Sequence, residues 1–159
     1  MDTNASQPNV AAVVVNWNGA ALTIACVESL LASRYAIGRV IVVDNGSTDG
    51  SAQAIAARLP AVELLRSTHN RGFAGGCNLG IRAALAGGAS YVLLANNDAF
   101  VAPDMLGELV ATLEADPQGG LAGPLICYAH APELVWYLAD DERRWLPVPR
   151  RLGSGEPAA

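Results

Sequence analysis

The sequence predicts an α/β fold in which helices cover both faces of a mostly parallel β-sheet. Short runs of aliphatic residues recur along the first hundred residues, and they lack the strict alternation of a half-exposed strand. These runs are residues 10–15, 40–43, 62–65 and 91–95. Segments with helical spacing of apolar residues separate them, and that order of elements is typical of a three-layer α/β/α domain with parallel strands.

The remaining elements follow in chain order. Helices are predicted where apolar residues recur every three or four positions, at residues 21–32, 51–59, 78–86 and 105–115. A last apolar segment, residues 121–128, predicts one more strand. We therefore expect a disordered N-terminus, one folded domain and an irregular Pro/Gly/Ala-rich tail, over residues 1–8, 9–139 and 140–159 respectively.

Composition excludes several classes of protein. The 159 residues carry a net charge of −5, which argues against a surface that binds the phosphates of nucleic acid. Cys26, Cys77 and Cys127 are far apart and odd in number, so neither a disulfide framework nor a zinc cluster is predicted. The N-terminus lacks the order of a signal peptide, and the apolar runs are too short to span a bilayer. We expect a cytoplasmic protein, with peripheral membrane association left open.

Polar clusters follow each of the four predicted strands. Ligands of open parallel sheets bind beyond the carboxyl ends of the strands, so these clusters are predicted to converge. In chain order they contain Asn16 and Asn18; Asp44, Asn45 and Ser47; Asn70, Arg71, Gly72, Gly75, Gly76 and Asn78; and Asn96, Asn97 and Asp98. Ordinary turn and helix-cap chemistry could explain any one cluster, but it would have to do so four times at the same end of the sheet.

Familiar nucleotide and hydrolase motifs are absent from the sequence. The glycines between residues 72 and 80 do not form G-x-G-x-x-G, and they follow the third strand rather than the first. The chain has no P-loop motif and no lysine at all, and it has no G-x-S-x-G nucleophile elbow. A nicotinamide dehydrogenase, a P-loop enzyme and a serine hydrolase are therefore disfavoured. A sugar nucleotidyltransferase is a weaker alternative, since it needs a basic Gly-rich loop after the first strand.

Four motifs together resemble family 2 glycosyltransferases, particularly the rhamnosyltransferase-like branch. They are VVVNWNG from Val13, IVVDNGSTDGS from Ile41, NRGFAGGCNLG from Asn70 and LLANND from Leu93. The resemblance covers residues from about 10 to about 130, and it implies a GT-A fold that binds a nucleotide-diphosphate sugar with a divalent cation. The expected donor is a UDP- or dTDP-sugar, and the expected acceptor is a saccharide or a lipid-linked group.

The resemblance also implies roles for single residues. Asn16, Asn18 and Asp44 would hold the base and neighbouring groups, and the glycines at 72, 75 and 76 would let the backbone approach ribose and phosphates. Arg71 would either add positive charge there or remain solvated. Asp98 would bind Mg²⁺ or Mn²⁺ and bridge it to the diphosphate. The neutral Asn96 would hydrogen-bond ribose rather than bind metal.

The family's general base lies further along than this sequence extends, so no catalytic residue is assigned. We expect the donor-binding part of a transferase, apparently truncated before the acceptor half. The alternative is a catalytically incomplete nucleotide-sugar-binding module, and a partner chain or a homo-oligomer could complete the site. Trp17, Trp136 and Trp145 are expected to serve packing rather than to form platforms for a sugar.

Overall fold

The computed structural model describes residues 7–141 and 150–158, which divide into two compact units, residues 1–107 and residues 108–159. The first unit contains four strands: β1 (Val10–Asn16), β2 (Ile37–Asp44), β3 (Glu63–Arg66) and β4 (Tyr91–Asn96). It also contains the helices α1 (Ala20–Leu31), α2 (Ser51–Arg58) and α3 (Gly72–Ala86). The helix α4 (Met105–Ala115) spans the division between the two units. Among the described residues no helix is both long and apolar enough to cross a bilayer.

The predicted sheet is confirmed as four parallel strands in the order β3-β2-β1-β4. Both faces of β1 and β2 are buried, which explains why their valine runs do not alternate with polar residues. Ala12, Val14 and Val42 pack with Val27 of α1 and Ile55 of α2 on one face. The other face packs against α3. The first unit therefore has the predicted three-layer α/β/α arrangement.

The helix α3 begins six residues earlier than predicted. Residues 72–77 were expected to form a glycine-rich loop, but they are the first turns of the helix. Close packing gives the reason, because a Cβ atom at Gly76 would lie only 2.8 Å from Val15 Cγ1. One at Gly80, inside the predicted part of the helix, would lie 2.3 Å from Val13 Cγ1. The missing side chains let α3 lie close against β1 and β2, and this packing outweighs the poor helix propensity of glycine.

A Gly80→Ala substitution is therefore expected to destabilise the first unit. The added methyl group cannot fit beside Val13, and overpacking of this kind costs about 1–3 kcal/mol. Urea unfolding would measure the change in the free energy of unfolding. Adding Val13→Ala should recover part of the loss, since it removes the atom that the new methyl group meets.

Gly107 is the matched control for this substitution. It also lies inside a helix, α4, but nothing approaches within 4 Å of where its Cβ atom would be. Gly107→Ala should leave the unfolding free energy unchanged or raise it by up to about 1 kcal/mol through helix propensity. Equal effects of the two substitutions would contradict the packing explanation.

Among its described residues, the second unit contains two antiparallel pairs of strands, and one pair includes residues of the predicted irregular tail, residues 140–159. Antiparallel pairs form between β5 (Ile126–Tyr128) and β6 (Ala131–Tyr137), and between β7 (Ala139–Asp141) and β8 (Arg150–Leu152). The predicted strand over residues 121–128 is therefore confined to its last three residues.

After β8 the chain turns back and bonds to β6. Gly155 N donates to Val135 O at 2.8 Å, and Val135 N donates to Glu156 O at 2.9 Å. Gly153 and Gly155 have φ of +74° and +81°, so these glycines of the predicted irregular tail supply the conformations of a tight turn. The expected disorder at residues 1–6, and the expected packing of Trp145, lie outside the described residues.

Candidate functional site

The predicted polar clusters come together at what we call the carboxyl edge, where Asn16, Asp44 and Asn96 end β1, β2 and β4. Asn16 lies opposite Asp44 in the parallel register, and Val15 lies opposite Asn96. The polar loops after these strands therefore begin at the same level of the sheet. The sheet register alone accounts for this convergence.

Asn16 is the centre of a buried hydrogen-bond network. Its side chain is inaccessible to solvent, and its Nδ2 donates to Asp44 Oδ1 and to Ser47 Oγ, each at 3.0 Å. Its Oδ1 accepts a hydrogen bond from Thr23 Oγ1 at 2.7 Å. Asp44 is only 2% exposed, and its Oδ2 accepts a hydrogen bond from Ser47 N at 3.4 Å. These two predicted base-binding residues therefore lie beneath the surface, where they fix the loops above them.

The loops that follow β1 and β2 are joined by further hydrogen bonds. Asn18 has φ of +51°, and its Oδ1 accepts a hydrogen bond from Thr48 N at 2.9 Å. Its own N–H donates to Ser47 Oγ, also at 2.9 Å. Ser51 Oγ accepts hydrogen bonds from Gly19 N at 3.1 Å and from Ala20 N at 3.2 Å, the N-cap and first residue of α1, and so caps a helix other than its own. The two loops form one rigid rim.

Trp17 lies in this rim and is 57% exposed, so the expectation that it is packed is wrong. The residues on either side of it are held, Asn16 by burial and Asn18 by the loop after β2. An exposed indole on a fixed backbone is a stacking surface at the carboxyl edge. The signal available in the sequence was its position directly after a strand, between two asparagines.

Asn45 connects the loop after β2 to the start of α3. It is 2% exposed, and its Nδ2 donates to Asn70 Oδ1 and to Gly72 O, each at 3.0 Å. Its Oδ1 accepts a hydrogen bond from Arg71 N at 3.0 Å. One side chain therefore sets the backbone of residues 70–72. Asn70 completes the arrangement, since its Oδ1 also accepts from Gly72 N at 2.7 Å.

The first turns of α3 carry the remaining predicted residues of the third cluster. Gly76 is buried, and a Cβ atom there would lie 2.8 Å from Val15 Cγ1, so this glycine serves contact with β1. A Cβ atom at Gly75 would lie 2.7 Å from Arg71 Cβ. Gly72, with φ of +72°, and Asn78 are exposed. The expected approach of a ligand to backbone glycines thus remains a prediction for Gly72 and Gly75, while packing explains Gly76.

The fourth cluster forms a tight turn at the end of β4. Ala99 N donates to Asn96 O at 3.1 Å, and the side chains of Asn96 and Asp98 are exposed. Asn97 is half-buried and donates from Nδ2 to Thr23 Oγ1 at 3.3 Å. Beneath the turn, burial and then the negative charge of Asp98 raise the pKa of the Cys26 thiol to about 11.

The residues of this turn fit a hard divalent cation that is completed by a ligand. Asp98 supplies an exposed carboxylate, and the asparagines beside it supply amide oxygens. Among residues 7–141 and 150–158, no group of three His, Cys, Asp or Glu side chains could hold a metal by itself. Mg²⁺ in proteins commonly keeps several waters and binds through one or two carboxylates plus phosphate oxygens of a substrate. One carboxylate at this edge matches that pattern.

The comparison with curated proteins gives two distant relatives. The chain is 36% identical over 95 residues to an N-acetylglucosaminyl-diphospho-decaprenol L-rhamnosyltransferase of Mycobacterium tuberculosis, covering 55% of this chain and 31% of the relative. It is 33% identical over 109 residues to the succinoglycan biosynthesis protein ExoO of Rhizobium meliloti, covering 68% of this chain and 30% of that protein. The chain therefore spans about a third of the length of these relatives.

Solved structures share the fold. A mannosyltransferase of Pyrobaculum calidifontis, PcManGT in complex with GDP-Man and Mn²⁺, matches with a TM-score of 0.63 and 31% identity, over 70% of this chain and 33% of that one. S. aureus TarS (1–349) in complex with UDP-GlcNAc matches with a TM-score of 0.53 and 20% identity, over 67% and 31% of the two chains, which supports the fold alone. These neighbours confirm the expected GT-A fold.

The profile of the family described as "Glycosyl transferase family 2" matches residues 11–153, which is most of the sequence. That range contains β2 to β4, all of β1 except Val10, and every residue of the carboxyl edge described above. The chain belongs to glycosyl transferase family 2.

Proposed function

We propose that the carboxyl edge binds a nucleotide-diphosphate sugar together with Mg²⁺ or Mn²⁺, as the donor-binding part of a glycosyltransferase. The sugar would pass to a saccharide or a lipid-linked acceptor. The observation that carries the proposal is the exposed Asp98 carboxylate at the edge where Asn16, Asp44 and Asn45 tie the loops together. Support comes from the mannosyltransferase PcManGT, which is 31% identical and whose structure contains GDP-Man and Mn²⁺.

The proposal assigns different roles to the buried and to the exposed residues of the carboxyl edge. Asn16, Asp44 and Asn45 are buried and hydrogen-bonded within the protein, so they position the loops and contact the ligand little. The exposed groups above them, including Asp98 and Arg71, face the donor. A divalent cation held by Asp98 would supply charge neutralisation for the leaving nucleoside diphosphate.

Arg71 and the start of α3 suit the diphosphate. Arg71 is exposed, and its Nε donates to Ser67 Oγ at 3.0 Å, which holds the guanidinium beside the first turn of the helix. A helix N-terminus carries partial positive charge, so it favours an anion. The overall charge of −5 therefore does not prevent local binding of a diphosphate.

Trp17 is proposed to stack against the nucleobase, a role that the sequence did not suggest. Stacking of a base on an aromatic side chain contributes about 1–3 kcal/mol by alanine substitution. Trp17→Ala should therefore weaken binding of a nucleoside diphosphate by a similar amount. Wild-type tryptophan fluorescence should also change on nucleotide addition, and Trp17→Phe should abolish that change. Trp136→Phe, which removes an indole from β6, should retain it; a response that survives Trp17→Phe would contradict the stacking role.

Calorimetric titration tests the proposed function. UDP, dTDP and GDP would each be added to the full chain, with and without Mn²⁺. We expect at least one to bind, more tightly when Mn²⁺ is present, and the preferred base would identify the donor class. A folded chain that binds none of the three under either condition would rule out nucleotide-sugar binding for this polypeptide.

A further inference from the structure

One face of α1 carries three small polar side chains at a spacing of three residues: Thr23, Cys26 and Ser29. Each is hydrogen-bonded to the segment of residues 96–101 that presents Asp98. Thr23 Oγ1 accepts from Asn97 Nδ2 at 3.3 Å, Cys26 Sγ donates to Asn96 O at 3.3 Å, and Ser29 Oγ accepts from Val101 N at 3.1 Å. We call these three residues the α1 track.

The two hydroxyl groups of the α1 track are fixed from both sides. Thr23 Oγ1 donates to Asn16 Oδ1 at 2.7 Å while it accepts from Asn97. Ser29 Oγ donates to Cys26 O at 2.7 Å while it accepts from the backbone of Val101. A hydroxyl whose donor and acceptor positions are both occupied has a set orientation. Each hydroxyl therefore fixes the position of the segment relative to α1 and the sheet.

The segment has little freedom to move elsewhere. A Cβ atom at Gly19 would lie 3.3 Å from Asn97 Nδ2, so that amide lies directly against the loop after β1. Further along, Arg34 N donates to Pro103 O at 2.9 Å, just past the end of α1. The segment is thus held before and after Asp98, whose own carboxylate is exposed.

We propose that Thr23 and Ser29 are positioning residues that set the place of the Asp98 carboxylate, and with it the affinity for the divalent cation. The effect on cation affinity rests on the proposed function, whereas the restraint of residues 97–101 by α1 does not. Partners that hold a metal ligand in place typically alter metal affinity about 10–100-fold when they are removed. Loss of either hydroxyl should therefore reduce the gain in nucleotide affinity that the metal ion produces.

Three variants test this role against a matched control. Thr23→Val keeps the shape and removes the hydroxyl, Thr23→Ser restores it, and Ser29→Ala removes the bond to Val101 without contacting the network of Asn16. Thr112→Val is the control, because its hydroxyl donates only to its own helix, at Glu108 O. The two readouts are amide hydrogen exchange at residues 97–101 and the ratio of UDP affinity with Mn²⁺ to that without it.

Thr23→Val and Ser29→Ala should speed exchange at residues 97–101 and lower the affinity ratio about tenfold, while Thr23→Ser and the control should match the wild type. Unchanged exchange and an unchanged ratio in both variants would overturn the proposal. If the wild-type ratio is itself one, the proposed cation function fails, and exchange alone decides whether α1 restrains the turn. If Thr23→Val does not fold, Ser29→Ala decides the outcome alone, because it breaks the bond to Val101 without changing a residue of the candidate site.

Discussion

Replacing Gly46 with alanine is expected to destabilise the first unit and to disorder the start of α3. Gly46 has φ of +78°, and a left-handed conformation costs an alanine about 1–2 kcal/mol. The added Cβ atom would also lie 2.6 Å from the carbonyl carbon of His69, which is backbone and cannot rotate away. Overpacking adds about 1–3 kcal/mol. Urea unfolding should show the loss of stability, and nucleotide titration should show weaker binding.

Gly50→Ala separates the cost of a positive φ from the cost of a steric clash. Gly50 has φ of +86°, so it carries the same conformational cost, but nothing lies within 4 Å of where its Cβ atom would be. This variant should lose only the part of the unfolding free energy that the positive φ costs, and it should retain nucleotide binding. Equal losses of stability and binding in the two variants would show that the close approach of Gly46 to His69 is unimportant.

Asp98→Ala is expected to abolish the increase in nucleotide affinity that Mn²⁺ produces. The side chain is exposed and ends a turn, so its removal should leave the unfolding free energy nearly unchanged. A direct metal ligand should contribute at least the roughly 10–100-fold in affinity that supporting residues contribute. Calorimetry with UDP, with and without Mn²⁺, measures the effect, and nucleotide binding without metal should persist.

Asp116→Ala is the control for charge, because it also removes one exposed carboxylate but lies beyond α4. It should retain the full dependence on Mn²⁺. If Asp98→Ala retains that dependence as well, the cation binds elsewhere and the turn after β4 is only structural.

The sheet could be predicted because its signal is local and strong. Strands buried on both faces need apolar residues at consecutive positions, so β1 was predicted to within one residue of its observed bounds. For β2 only the buried residues 40–43 were predicted, and the strand begins three residues earlier at the less buried Ile37. The predicted parallel direction of the strands also placed the polar clusters at one edge. The start of α3 was missed because Gly72, Gly75 and Gly76 weaken helix propensity locally, whereas the contact of Gly76 with Val15 is distant in sequence.

The details of the candidate site depend on non-local contacts as well. Asn16 and Asn45 resemble ligand-binding residues in sequence, but burial turns their amides into connections between loops. Thr23 and Ser29 looked like ordinary members of an amphipathic helix, and only their partners at residues 97 and 101 reveal another role. The exposure of Trp17 was missed because a tryptophan suits packing and binding equally well, and its position between two asparagines after a strand was the available signal.

The most direct test of the donor-site claim is to locate Mn²⁺ on the protein by nuclear magnetic resonance. Amide spectra of the isotope-labelled chain would be recorded with UDP and Mg²⁺, and then with a trace of Mn²⁺, whose unpaired electrons broaden nearby signals. We expect broadening centred on residues 96–99 and extending to the first turn of α3, and we expect Asp98→Ala to abolish it. Broadening that is centred elsewhere in the chain, or that is unaffected by Asp98→Ala, would contradict the claim that the carboxyl edge is the donor site.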